Sequence, residues 1–386
     1  MRIHPSLSFL GLVAILSIGA GAGVRADVPP RDDKPRPPTG PVPPVRPIPP
    51  ERPTPPTPPT PPVPPTPPSP PTPRTPPTPA EPEMQGPPRA REPFTNAFMK
   101  SMIGTWDLAI HGMEGDTKGT AIISPALDGT AVVEEFTDDH GFSNLSVYQV
   151  SSDGKTVQSA WFNTTGGGQM WPMSGPLTEK GFDLAGEGMG GGTASARLYA
   201  AEAGMTFELR MASAPKAEEV TVATIRYTKA AKPAERPAIA REKGAKASFI
   251  DDALGTWKVE GVTRLDFMGG MEIASSGTSA FRLGVGGAYL LQDYDVRNPM
   301  QHMVMFGVMS FGADGKSGRA WWFTNLEGPM RDFSIAAEGA GWKFSRTSTH
   351  GSATSTWTKK DGALRSAAAI VLPGDRKLSV EETYTR

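Results

Sequence analysis

Thirty-two of the chain's 42 prolines fall between Pro29 and Pro93, and that concentration divides the 386 residues into a part that cannot fold and a part that can. Proline removes a backbone donor and disfavours helix in the residue before it, so this stretch builds neither helix nor sheet. From Thr54 to Pro73 the run TPPTPPTPPVPPTPPSPPTP repeats every three residues. Polyproline II has three residues per turn, which stacks Thr54, Thr57 and Thr60 along one edge. At about 3.1 Å per residue, such a segment reaches roughly 200 Å when fully extended. The expectation is a disordered, polyproline-II-rich spacer over residues 27–93, punctuated by Arg46, Arg52, Arg74, Arg89 and Arg91.

Ahead of the spacer, Arg2 gives a short basic start, Leu7 to Ile18 an apolar run, and Val24-Arg25-Ala26 a small-x-Ala site. Residues 1–26 therefore read as a signal peptide cut after Ala26, leaving a mature chain with no transmembrane span. The expected location is secreted, or periplasmic and cell-envelope. The chain has no cysteine, which excludes disulfides, thiolate catalysis, iron–sulfur clusters and a lipid-modified lipoprotein start. Charge excludes another class. Residues 94–230 carry 9 basic and 16 acidic side chains, and residues 246–386 carry 16 and 15. Neither has the basic surplus of a nucleic-acid binder.

After the spacer the sequence says the same thing twice. Phe98 to Trp106 parallels Phe249 to Trp257, each a short helical lead-in ending in GTW. Asp153-Gly154-Lys155 with Ala160-Trp161-Phe162 parallels Asp314-Gly315-Lys316 with Trp321-Trp322-Phe323. Tyr227-Thr228 closes the first copy and Tyr384-Thr385 the second. The offset grows from 151 at GTW to 161 at DGK, so about ten extra residues are expected early in the second copy, near Phe267 to Ser276. A duplicated unit of this size means tandem domains, here 94–230 and 246–386, with 231–245 as linker.

Within each copy, short runs alternate apolar and polar residues between Gly, Asp and Pro. Ten such runs can be counted per copy, starting near Trp106, Thr120, Ala131, Leu145, Val157, Gln169, Phe182, Ala194, Met205 and Val220 in the first. Closing a meander of this kind removes its exposed edges and leaves room for a small ligand. The fold expected is all-β: two tandem antiparallel up-and-down barrels of about ten strands each.

Each block resembles the bacterial family catalogued as domain of unknown function 1579. The resemblance rests on Gly104-Thr105-Trp106, Leu127-Asp128-Gly129-Thr130, Asp153-Gly154-Lys155 with Trp161, and Tyr227-Thr228-Lys229. In the second copy it rests on Gly255-Thr256-Trp257, Asp314-Gly315-Lys316 with Trp322, and Tyr384-Thr385-Arg386. It implies a calycin-like, lipocalin-related barrel and no particular activity. The haem-binding nitrobindins open similarly, but their haem is held by a histidine in the last strand. The last strands here, VTVATIRYTK and LSVEETYTR, contain none. No cofactor is expected.

Trp106 and Trp257 are expected to plug the closed ends of the barrels. Trp161, Trp171, Trp321, Trp322, Trp342 and Trp357 could line a cavity, and of these Trp161, Trp171, Trp322 and Trp342 are the candidates for contact with a ligand. Met300 to Met305, with His302 inside it, reads as a soft-metal sequence, but strand alternation turns His302 away from Met303 and Met305. Glu134 and Glu135 are adjacent on a strand, so they face opposite ways and form no catalytic pair. His111, His140 and His350 are isolated, and no nucleophile elbow, P-loop, Rossmann fingerprint or HExxH occurs. The leading expectation is a non-enzymatic protein binding a small apolar ligand in its barrels. The alternative is a structural or interaction protein whose proline-rich stalk contacts the cell envelope.

Overall fold

The computed structural model describes residues 90–113, 115–164, 168–188, 192–214, 217–232, 248–312, 314–328, 330–348 and 351–386. The signal peptide, nearly all of the spacer, most of the linker and His350 lie outside the described residues. Two closed antiparallel barrels of ten strands succeed one another along the chain, as the alternation predicts.

Barrel 1 opens with helix α1 (Ala97–Met102) and runs through β1 (Gly104–Gly112), β2 (Gly115–Ala126), β3 (Ala131–Asp138), β4 (Ser143–Val150), β5 (Thr156–Asn163), β6 (Trp171–Thr178), β7 (Gly181–Glu187), β8 (Thr193–Ala201), β9 (Gly204–Ala212) and β10 (Val220–Lys229). Barrel 2 opens with α2 (Ser248–Ala253) and runs through β11 (Gly255–Leu265), β12 (Met271–Gly284), β13 (Tyr289–Asn298), β14 (Gln301–Phe311), β15 (Ser317–Thr324), β16 (Arg331–Glu338), β17 (Gly341–Ser348), β18 (Gly351–Lys360), β19 (Ala363–Leu372) and β20 (Arg376–Thr385). Each strand pairs with its chain neighbours, and β1–β10 and β11–β20 close the rings.

The ten extra residues of copy two fall in two places rather than one. Equivalent positions differ by 151 at Gly104 and Gly255, by 158 at Leu127 and Val285, and by 161 at Asp153 and Asp314. Seven residues therefore lengthen the β11–β12 hairpin, and three lengthen the β13–β14 hairpin.

One end of each barrel is shut in the same way. The indole Nε1 of Trp106 donates to Met102 O at 2.7 Å, and that of Trp257 donates to Ala253 O at 2.7 Å. Each tryptophan thus satisfies a carbonyl left over at the end of its helix. A cation completes the seal. Lys229 Nζ lies 4.4 Å from the Trp106 ring and donates to Ile103 O, while the Arg386 guanidinium lies 4.4 Å from the Trp257 ring and donates to Leu254 O. The GTW opening and the Tyr-Thr-Lys/Arg closing are two halves of one device.

The barrels also bury their outer walls against each other. Leu127, Val133, Leu145, Val147 and Phe162 pack with Tyr289, Leu291, Val308, Trp321 and Phe323 in a shared apolar cluster. Strands buried on both faces read as near-continuous apolar runs rather than clean alternation, as in Ala131-Val132-Val133 and Tyr289-Leu290-Leu291. Adjacent residues accordingly part company. Glu134 turns into barrel 1, while Glu135 takes the Arg282 guanidinium of barrel 2 in a two-pronged pair at 2.8 and 2.9 Å. Gln149 Nε2 adds a bond to Thr324 O at 2.6 Å.

Residues 90–93 sit at the end of the segment read as spacer, and they dock on this seam. Ala90 bridges to Leu326, and Arg91 donates from its guanidinium to Leu326 O (3.0 Å), Val150 O (2.9 Å) and Gly328 O (2.8 Å). One side chain therefore ties the approach segment to both barrels.

Candidate ligand-binding site

Barrel 2 holds an interior cavity of about 150 Å³. Its position follows from which end is shut. Phe249 of α2 packs on Trp342, Phe344, Trp357 and Phe311, filling the end where β11 and β17 begin. The cavity runs from this packing toward the opposite end, between Met303 and Met305 at the start of β14, Arg331 and Phe333 at the start of β16, and Ala353 to Ser355 early in β18. Small side chains create the space. Ser355, Ser366 and Ala368 line one wall, where larger residues would close it.

The floor is polar and satisfied. Tyr294 OH donates to Glu382 Oε1 at 2.5 Å, and Glu382 Oε2 accepts from Tyr384 OH at 2.7 Å and from Ser366 Oγ at 3.2 Å. Burial first, and then the neighbouring Glu382 charge, push both tyrosines well above their usual range, so they remain donors. Higher on the wall, Trp322 Nε1 donates to Gln292 Oε1 at 3.1 Å, and Gln292 Nε2 donates to Ser279 Oγ. The remaining lining is sulfur and aromatic: Met303, Met305, Trp322, Phe333, Phe344 and Trp357. Thioethers and ring edges adapt to irregular apolar ligands.

A second, more open depression of about 910 Å³ lies where β5 to β7 of barrel 1 meet Phe323 and Met330 of barrel 2. Pro172 and Pro176 thin the β6–β7 ladder here, which keeps only Ser174↔Ala185, Leu177↔Phe182 and Thr178↔Gly181. Gln149, Gln158, Asn163 and Gln169 give its lining a polar share. The barrel 2 cavity is the better ligand site, because its lining is mainly aromatic and thioether side chains with a few convergent polar groups.

The four tryptophans singled out from sequence separate. Trp161 and Trp171 come together edge to face, 5.9 Å between centroids, on the open depression. Trp322 lines the barrel 2 cavity. Trp342 does not; it packs at the shut end, 5.3 Å from Phe311. Trp357 does reach the cavity, and Trp321 turns outward into the seam, 5.2 Å from Phe162. His302 turns out to Asp295 (2.8 Å) while Met303 and Met305 turn in, as strand alternation requires. Among the described residues, no three His, Asp or Glu side chains cluster as metal ligands.

Sequence reading passed over Arg331, Glu382, Tyr294 and Ser366, and took Tyr384 only as part of the closing motif. The signal was phase. In Leu378-Val380-Glu382-Tyr384 and in Arg331-Phe333-Ile335, a charge occupies a position on the buried side of an alternating strand. A charge in that phase marks an interior polar group.

No family model matches the chain, and no curated protein matches it. Among solved structures, the S-type phycobiliprotein lyase of Guillardia theta is similar at 7% identity and a TM-score of 0.29, over 36% of this chain and 90% of its own. A protein of unknown function from Nostoc punctiforme, in the domain-of-unknown-function 3598 family, is similar at 14% identity and a TM-score of 0.24, over 75% of this chain and 98% of its own. The barrel architecture stands on the strand ladders themselves. No helix among the described residues is long and apolar enough to cross a membrane.

Proposed function

We propose that this protein is an exported, non-enzymatic binder that holds a small apolar molecule inside barrel 2. The observation that carries this reading is the barrel 2 cavity of about 150 Å³ lined by Met303, Met305, Trp322, Phe333, Phe344 and Trp357. An apolar cavity near that size takes a molecule such as benzene. The kinship of both blocks with the domain-of-unknown-function 1579 family belongs to the same proposal, as does a site outside the cytoplasm, reached through the signal peptide. The chain's lack of cysteine fits folding that depends on no disulfide in either compartment.

Thermal denaturation of the full chain in the presence of toluene tests the binding. A ligand held only by the folded state raises stability with concentration, by about 2.7 kcal/mol at a hundred times its dissociation constant. Toluene should raise the melting temperature of the natural chain and leave that of Ser366→Phe unchanged. A melting temperature indifferent to toluene in both removes the proposal.

A second reading has its own observation. Arg91 fixes the approach segment to both barrels through three carbonyls. Tension on a proline-rich stalk would then be borne by the seam and not by one barrel. On this reading the pair of barrels is displayed by the stalk at the cell envelope. Removing residues 27–89 should then alter where the barrels are found in the cell; unchanged distribution speaks against the stalk.

A further inference from the structure

The cavity of barrel 2 has a buried cation in its wall. Arg331 is 3% exposed and lines the cavity beside Trp322, its ladder partner on β15. Arg346 comes two residues after Phe344 on β17, on the same inward phase, and stands beside the residues that line the cavity rather than among them. The β16–β17 ladder sets Ser334 against Ser345, which makes Arg331 and Arg346 diagonal neighbours toward the end away from α2. The equivalent of Arg331 in barrel 1 is Trp171, since Trp161 pairs with Trp171 as Trp322 pairs with Arg331. A large apolar group thus suffices to build this part of the wall, and the arginine is an addition that the fold does not require.

We propose that the ligand of barrel 2 is a small carboxylic acid, its carboxylate held by Arg331 with Arg346 beside it and its apolar body between Met303, Met305 and Phe333. This rests on the binding reading above and names the ligand's class. Desolvation, and then the like charge of Arg346, drive the Arg331 guanidinium well below its ordinary range, so an anion beside it stabilises its charged form. Asp332 offsets Arg346, but Asp332 lies on the outward phase of β16 and is bound to Arg319 at 2.8 Å. The guanidinium fork matches a carboxylate with two parallel N–H donors. Glu382, at the other end of the cavity, does not invite a cationic ligand. Both its oxygens already accept from Tyr294, Tyr384 and Ser366 hydroxyls.

The test compares benzoate with benzamide, two probes of one shape that differ in charge, binding to the full chain by calorimetry. Benzoate should bind about tenfold more tightly, the worth of one charge-assisted hydrogen bond. Arg331→Gln should lower benzoate affinity by about tenfold and leave benzamide within about twofold. If Arg331→Gln does not fold, Arg346→Gln, on a half-buried side chain, carries the test with a loss of about threefold for benzoate only. Equal affinity for both probes in the natural chain, with toluene still stabilising it, overturns the acid assignment and leaves the apolar cavity standing. Binding of neither benzoate, benzamide nor toluene takes the cavity reading down with it.

Discussion

Two residues before its closing tyrosine, barrel 1 carries Ile225 and barrel 2 carries Glu382; across the ladder from them stand Phe207 and Ser366. Two residues along from these come Leu209 and Ala368. On the strand after the first hairpin the exchange runs the other way, with Glu134 in barrel 1 and Gln292 in barrel 2. Each barrel thus keeps one carboxylate for the hydroxyl of its last tyrosine. Tyr227 donates to Glu134 at 2.7 Å, and Tyr384 donates to Glu382 at 2.7 Å. A buried hydroxyl needs a partner, but the partner's strand is free to vary. The choice of strand decides how much volume stays open. Where Phe207 fills barrel 1 against Trp161, 5.5 Å between rings, Ser366 and Ala368 leave barrel 2 with space.

That difference predicts unequal answers to exchanged residues. Phe207→Ser deletes a buried ring and should cost about 3–5 kcal/mol in urea denaturation, because the surrounding barrel closes only part of the gap. The opposite exchange, Ser366→Phe, fills existing space, and its stability change should stay within about 1–3 kcal/mol. Equal losses from the two would mean that the interiors are packed alike, and the comparison would fail.

The barrels themselves were legible because the signals are local. Asp153 and Asp314 sit in turns whose glycines, Gly154 and Gly315, adopt φ of 70° and 60°, and period-two alternation marks the strands between. The shared seam also left a trace, in the unbroken apolar runs of β3 and β13, but an unbroken run does not say what covers it. The cavity was not legible. Trp342 and Trp357 are both large aromatics on neighbouring strands of one barrel, paired in the ladder, yet only Trp357 reaches the space. Which of them does so depends on where Phe249 inserts, a contact between residues roughly a hundred positions apart. Arg331 and Glu382 were visible as charges out of phase, and lacked only the register that places them at opposite ends of one cavity.

The two carboxylates also sharpen the comparison through pH. Glu134 is 2% exposed, and burial raises its pKa above the ordinary 4.5, opposed by hydrogen bonds from Tyr227, Tyr148 and Ser146. A carboxyl raised in the folded state binds its proton more tightly there than in the unfolded chain. Its contribution to stability is full below the ordinary value and is lost as pH rises through the raised one. Glu134→Gln has no proton to lose at this site. The melting temperature of Glu134→Gln relative to the natural chain should therefore rise between pH 4 and pH 7, the span that begins near the ordinary value. A constant difference across that range would mean that Glu134 titrates as if exposed.

The smallest effect should fall where the barrels agree. Lys229 and Arg386 each stand over a plugging tryptophan at 4.4 Å and each donate to a carbonyl at the end of the lead-in helix. Both cations are exposed, so the ring contact contributes about 0.5–1 kcal/mol. Lys229→Met and Arg386→Met should each lower stability by about that much, with both effects persisting in high salt more than a simple surface ion pair would. Because Trp106 and Trp257 keep their own bonds to Met102 and Ala253, neither substitution should open its barrel. A loss several times larger in one copy would show that its cation holds the helix in place, and that the closed ends differ as much as the interiors do.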